Sequence, residues 1–103
     1  MNARIEFRQD EIAAFCQRWQ MVELALFGSV LRDDFGPESD VDILVRFAPA
    51  AEPGLRDWPA MERELAEVLG RDVDLIERRS VEISRNYIRR RAILDSAQVV
   101  YAA

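Results

Sequence analysis

The sequence predicts an α/β (α+β) domain, a single small unit in which helices flank a mixed sheet. Three observations carry that expectation. Apolar residues at helical spacing alternate along the chain with short apolar runs, the pattern of mixed helix and strand architecture. Those runs are bounded by Gly, Pro and Asp-rich turns, as strands are. Finally, 103 residues with 50% hydrophobic and 32% charged content suit one core and leave no room for a second, so residues 1–103 are read as one domain.

Residues 10–19 place Ile12, Phe15, Cys16 and Trp19 at helical spacing, with Asp10 and Glu11 in the first turn, where carboxylates suit the helix dipole. This is the first helix. Val22, Leu24, Leu26 and Phe27 then form a buried strand that stops at Gly28-Ser29, and residues 30–34 read as one helical turn. Phe35-Gly36-Pro37-Glu38-Ser39 is dense in turn formers and delivers the chain into a second strand over 40–47, rich in branched residues. Two aspartates interrupt it, the oddest feature of the sequence. Pro49, Pro53 and Gly54 mark a loop over 48–54. Asp57 is then a candidate N-cap, Pro59 sits in the first turn, and Met61, Leu65, Val68 and Leu69 line one face of a helix closed by Gly70. A third strand follows over 72–77. From Ser80, the residues Ile83, Tyr87, Ile88, Ile93 and Leu94 indicate a helix with a bend, and 97–101 forms a last short strand. There is no internal repeat and no low-complexity segment.

Composition narrows the chemistry. Fourteen arginines stand against nineteen acids, a net charge of −5, so a general attraction to nucleic acid or an anionic membrane is excluded as a default and any phosphate site must be local. One cysteine cannot form an intramolecular disulfide, and the absence of His removes the usual zinc sets and every His-based general base. With no Lys in the chain, a P-loop lysine and Schiff-base catalysis are excluded as well. Chemistry rests on carboxylates. The N-terminus lacks a basic segment followed by an apolar one, and no apolar run is long enough for a membrane span, so a soluble cytoplasmic protein is expected.

Residues two apart in a strand point to the same face, with Cα atoms about 6.5–7 Å apart, so Asp40 and Asp42 present two carboxylates side by side. Asp72 and Asp74 offer a further acid if their strand is a neighbour, and three converging acids suit Mg²⁺, which takes oxygen ligands together with substrate phosphates. Burying such like charges without a cation is costly. For the bare Asp-x-Asp pair a plainer reading stands beside this one, with Asp40 capping the loop after Pro37 and the others on a solvated face. Gly28-Ser29 upstream favours the chemical reading: a glycine after a buried strand lets a phosphate approach the backbone, and the following amides and hydroxyl can bind it.

The constellation is thus Gly28-Ser29, ten residues, then Asp40-Val41-Asp42. It resembles the nucleotidyltransferase superfamily of DNA polymerase β-like proteins, whose signature is Gly-Ser, a spacer, Asp-x-Asp and a third Asp on a later strand. More narrowly, LALFGSVLRDDFGPESDVDILVRF is similar to the minimal nucleotidyltransferases, the MNT antitoxins of HEPN/MNT toxin–antitoxin pairs. The likeness runs from about Leu24 to the C-terminus, through GRDVDLIE and IRRRAILDSAQVVYA. It implies that Gly28 and Ser29 hold the nucleotide phosphates, that Asp40 and Asp42 bind Mg²⁺, and that Asp74 is the third catalytic and metal-binding acid. Strand period alone cannot choose between Asp72 and Asp74; the family's Val-Asp-Leu pattern falls on Val73-Asp74-Leu75. Many relatives carry Gly-Ser-Arg-Ala-Arg-Gly after the strand, whereas this chain has Gly28-Ser29-Val30-Leu31-Arg32-Asp33. Arg32 holds the remaining basic position, where it can reach a phosphate or pair with Asp33 or Glu38.

What the resemblance implies for function is a Mg²⁺-dependent antitoxin that transfers AMP from ATP to a tyrosine of a partner HEPN ribonuclease and silences that toxin. A hetero-oligomer with the toxin is expected, with no direct nucleic acid partner and no membrane. The alternative is a protein of the same fold that neutralises the toxin by covering it. Small size favours a protein acceptor, since larger relatives add domains to bind other substrates.

Three further features are open in the sequence. Arg78, Arg79, Arg85, Arg89, Arg90 and Arg91 face only Glu82 over residues 78–91, which makes either a solvated helix face or an electropositive patch for an acidic partner or the nucleotide. Cys16 is read as a small core residue rather than a reactive thiolate. Trp19 and Trp58 are core or interface anchors.

Overall fold

The structure, a computed structural model, describes residues 7–31, 36 and 39–103, and of Ser29 only the backbone. Along the described chain run α1 (Gln9–Arg18), β1 (Met21–Phe27), a 3-10 turn (Gly28–Leu31), β2 (Val41–Phe47), α2 (Asp57–Leu69), β3 (Val73–Glu77), α3 (Arg78–Glu82), α4 (Tyr87–Ser96) and β4 (Gln98–Ala102). The strands form one mixed sheet in the order β3-β2-β1-β4. β1 pairs antiparallel with both β2 and β4, while β2 and β3 are parallel, with α2 as the crossover that a parallel pair requires. The α/β expectation is therefore borne out.

Period-2 alternation sorts the strand residues onto two faces. On the first, Leu24, Leu26, Val41, Ile43, Val45 and Leu75 pack against Ile12, Phe15 and Cys16 of α1 and Met61, Leu65 and Leu69 of α2, all buried. On the second, Ala25, Phe27 and Leu44 pack against Val81 of α3 and Ile93 of α4. The first face holds the larger core. The smaller second core leaves room over the sheet, and that room becomes a cleft. Cys16 is fully buried, and burial pushes its thiol up to about 12, which agrees with a packing role.

α2 also tends the free edge of β3, whose outward backbone groups would otherwise be open to another strand. Glu62 accepts a hydrogen bond from the Leu75 amide at 3.1 Å, and the Trp58 indole donates to the Leu75 carbonyl at 3.1 Å. Trp58 lies against Phe47, and Trp19 donates to Glu64 at 2.9 Å, so both tryptophans anchor the core's margin.

Several local expectations need correction. Asp57 is the first residue of α2 rather than its N-cap, and its carboxylate accepts from the Gly54 amide at 2.8 Å. Gly70 does close that helix, at φ +69, with its amide on Ala66. The bent helix after β3 is two helices. Asn86 breaks it by capping α4, its side chain accepting from the Arg89 amide at 3.1 Å. In consequence Ile83, Tyr87 and Ile88, spaced like core residues, are 72%, 56% and 79% exposed. The turn over 35–39 falls mostly outside the described residues; within them, Gly36 and Ser39 bond each other in both directions at 3.1 Å.

Candidate active site

β1 ends at Phe27, which pairs with Asp42 on β2, and the chain then turns at Gly28 with φ +74. Only glycine adopts that left-handed conformation without strain. The turn brings the backbone close to the Asp42 carboxylate: a Cβ at Gly28 would overlap Asp42 Oδ2 and lie 3.2 Å from its Cγ. On the other side of β2, Asp42 is in register with Asp74 of β3. In-register residues of neighbouring strands stand about 4.8 Å apart and share a face. Two carboxylates therefore sit side by side next to a glycine turn, on the face with the smaller core.

Over them lies α4. Its stripe of Arg89, Ala92, Ile93 and Ser96 has the spacing of one helix face, and together with Gly28, Asp42 and Asp74 it lines a cleft of about 280 Å³. Among the described residues, the sheet side carries two carboxylates and the helix side one guanidinium. Such a cleft can accept an anionic ligand only with added positive charge, because two carboxylates and a phosphate repel.

The structure divides the expected site residues. It brings Gly28, Asp42 and Asp74 together. Asp40 stands apart, since β2 begins at Val41 and leaves Asp40 exposed before the strand, lining a different hollow with Arg63, Arg71 and Asp72. No cluster of three carboxylates close enough for a cation forms among the described residues. The side chain of Ser29 and all of Arg32 lie outside the described residues. Asp72 likewise precedes its strand, and its carbonyl accepts from the Val41 amide at 2.9 Å.

Sequence marks Arg89 only as one of six arginines in the basic run, and does not mark Arg71 at all. Arg71 donates to the carbonyls of Gly36 and Ser39, at 3.1 Å for the latter, and so pins the turn that leads into Asp40 and β2. No spacing rule marks that role. Arg89 sits within the basic run, where helical period relative to Ile93 is the one signal that places it toward the sheet.

The Gly28 geometry sets a first test. Gly28→Ala should lose about 1–2 kcal/mol of stability from the left-handed backbone alone, and nucleotide affinity should fall further because the Asp42 carboxylate must move. Thermal melts paired with ATP calorimetry separate the two. Unchanged affinity would mean that the turn does not shape the ligand's place.

The model of the nucleotidyltransferase domain matches residues 11–100. A Methanocaldococcus jannaschii protein provisionally named a protein adenylyltransferase is 34% identical over 64 residues, 62% of this chain and 64% of the relative. Protein adenylyltransferase MntA of Thermococcus cleftensis is 36% identical over 66 residues, 64% of this chain and 65% of the relative. The chain thus spans slightly less than two thirds of the length of these curated relatives. Among solved structures, the complex of tri-AMPylated Shewanella oneidensis HEPN toxin with MNT antitoxin superposes with a TM-score of 0.61 at 21% identity, covering 92% of this chain and 70% of that one, a likeness of fold. No described helix is long and apolar enough to cross a membrane.

Proposed function

Since the chain belongs to the nucleotidyltransferase domain family, we propose that it is a cytoplasmic antitoxin that transfers AMP from ATP to a tyrosine hydroxyl of a partner HEPN ribonuclease. The observation that carries this is the pairing of Asp42 with Asp74 beside the left-handed Gly28 in one cleft. The names of the relatives support it, one being named a protein adenylyltransferase and the other provisionally so, and so does the AMPylated toxin bound to the structural neighbour.

The donor set fits Mg²⁺. Two carboxylates on adjacent strands offer hard oxygen ligands, the chain has no His, and its one thiol is buried on the opposite face. Where a Cβ at Gly28 would sit, the Asp42 carboxylate is instead held against the turn. Asp42 and Asp74 would hold the ion, with Asp40 joining from the segment before β2; when bound, the ion supplies charge neutralisation for the triphosphate.

The chain's own groups then do the following. The Gly28 turn admits a phosphate close to the backbone, and Ser29 and Arg32 are the residues we assign to the phosphate oxygens. The tyrosine oxygen forms its bond to the α-phosphorus while the bond from that phosphorus to the oxygen bridging to the β-phosphate breaks. Pyrophosphate leaves. The phenol, with a pKa of about 10, gives its proton to the Asp74 carboxylate.

The test is to mix the chain with α-labelled ATP, Mg²⁺ and a candidate partner protein of the HEPN family. Label on a toxin tyrosine with stoichiometric pyrophosphate is the expected result. Neutralised toxin carrying no label would overturn transfer and leave an antitoxin that acts by binding.

A further inference from the structure

We propose that Arg89 is the residue that binds the distal phosphates of the nucleotide, gripping the β- and γ-phosphoryl groups from the α4 wall across from Asp42 and Asp74. This rests on reading the cleft as a nucleotide site. Among the described residues that line the cleft, Arg89 is the one with a basic side chain. A triphosphate placed over two carboxylates needs positive charge from more than one direction. The turn after β1 offers none at residue 30, which is a buried valine.

Of the other five arginines of the basic run, Arg79 lines a different hollow and three are engaged elsewhere. Arg78 pairs with Glu23 at 3.1 Å and with Glu82 at 3.4 Å. Arg90 donates to the Ser84 carbonyl at 3.1 Å and lies 5.6 Å from the centre of the Tyr87 ring. Arg91 donates to the Tyr87 hydroxyl at 2.9 Å and pairs with Asp95 at 3.4 Å. The Arg89 backbone amide is satisfied by Asn86, but its guanidinium has no bond to any described residue. Its five donors are available to a ligand, in a planar fork that matches phosphate oxygens.

Position along α4 decides which phosphates. Arg89 is exposed, while Ile93, one turn further on, is buried against the sheet and Asp42 is half-buried, so Arg89 stands toward the open side of the cleft from Asp42. With the α-phosphorus over Asp42 and Asp74, the departing pyrophosphate is the part that extends outward. A charge there also stabilises the leaving group as it gains negative charge.

Calorimetry of the full chain with ATP and with AMP, both in Mg²⁺, tests this. Arg89→Ala should weaken ATP binding by about tenfold, the scale of one charge-assisted hydrogen bond, and leave AMP binding within about twofold. Arg89→Lys should recover part of the loss, and Arg91→Ala should bind like the parent. If Arg89→Ala lowers the melting temperature, Arg89→Gln, which keeps the stem and removes the charge, carries the same expectation. ATP affinity unchanged in both neutral variants would overturn the proposal, as would equal losses for ATP and AMP. A parent that binds no ATP would overturn the reading of the cleft itself, and the role of Arg89 with it.

Discussion

Asp42→Asn is expected to abolish AMP transfer, with a rate loss of about a hundredfold to a thousandfold or more, while the protein stays folded. The magnitude is that of removing one preorganised electrostatic partner from a site. Asp42 is the shared element of the cleft: it pairs across β1 with Phe27, lies in register with Asp74, and holds its carboxylate against the Gly28 turn. The amide keeps the shape of the side chain and removes one of two like charges on adjacent strands, so the fold should persist. Mg²⁺ gives a second readout. An ion that binds the folded state stabilises it by mass action, so the parent should melt higher with Mg²⁺ and Asp42→Asn should not. Asp40→Asn, at an exposed residue before the strand, should lower transfer without a change in stability. Full labelling by Asp42→Asn would sink the assignment of Asp42.

The mixed sheet was legible because each strand is an apolar run with a turn on either side, and the first core because α1 and α2 carry clean helical stripes. The acids were legible only in part. Period 2 correctly puts Asp72 and Asp74 on a common footing and cannot choose between them; the structure separates them because β3 begins at Val73, leaving Asp72 before it. Asp40 likewise lies one residue before β2, a boundary that sequence cannot fix. Ile83, Tyr87 and Ile88 show the opposite failure. Their spacing is helical, but Asn86 caps a new helix between Ile83 and the other two, and Val81 and Ile93 are the helix residues that pack on the second face instead. Arg89 was hidden by its company, because a run of six arginines says how much charge is present and nothing about which side chain turns inward.

Asp74→Asn is expected to bind the toxin about as well as the parent while modifying it about a hundredfold to ten-thousandfold more slowly, the range for loss of a general base. Asp74 is exposed and lies on β3, the edge strand, whereas Asp42 is half-buried on β2 inside the sheet. An acceptor carried on another protein reaches the cleft from the open side, so the outer carboxylate is the one placed to meet its hydroxyl. The change from carboxylate to amide keeps the shape of the side chain and removes its basicity, which is why contact should persist when chemistry fails. Protection of cells expressing the toxin then becomes diagnostic. If Asp74→Asn still protects, occupation of the toxin suffices and transfer is dispensable for neutralisation. If protection is lost while the complex still forms in a pull-down, transfer is the means of inhibition. Loss of the complex together with transfer would place Asp74 in the interface and remove it from the proton-transfer step.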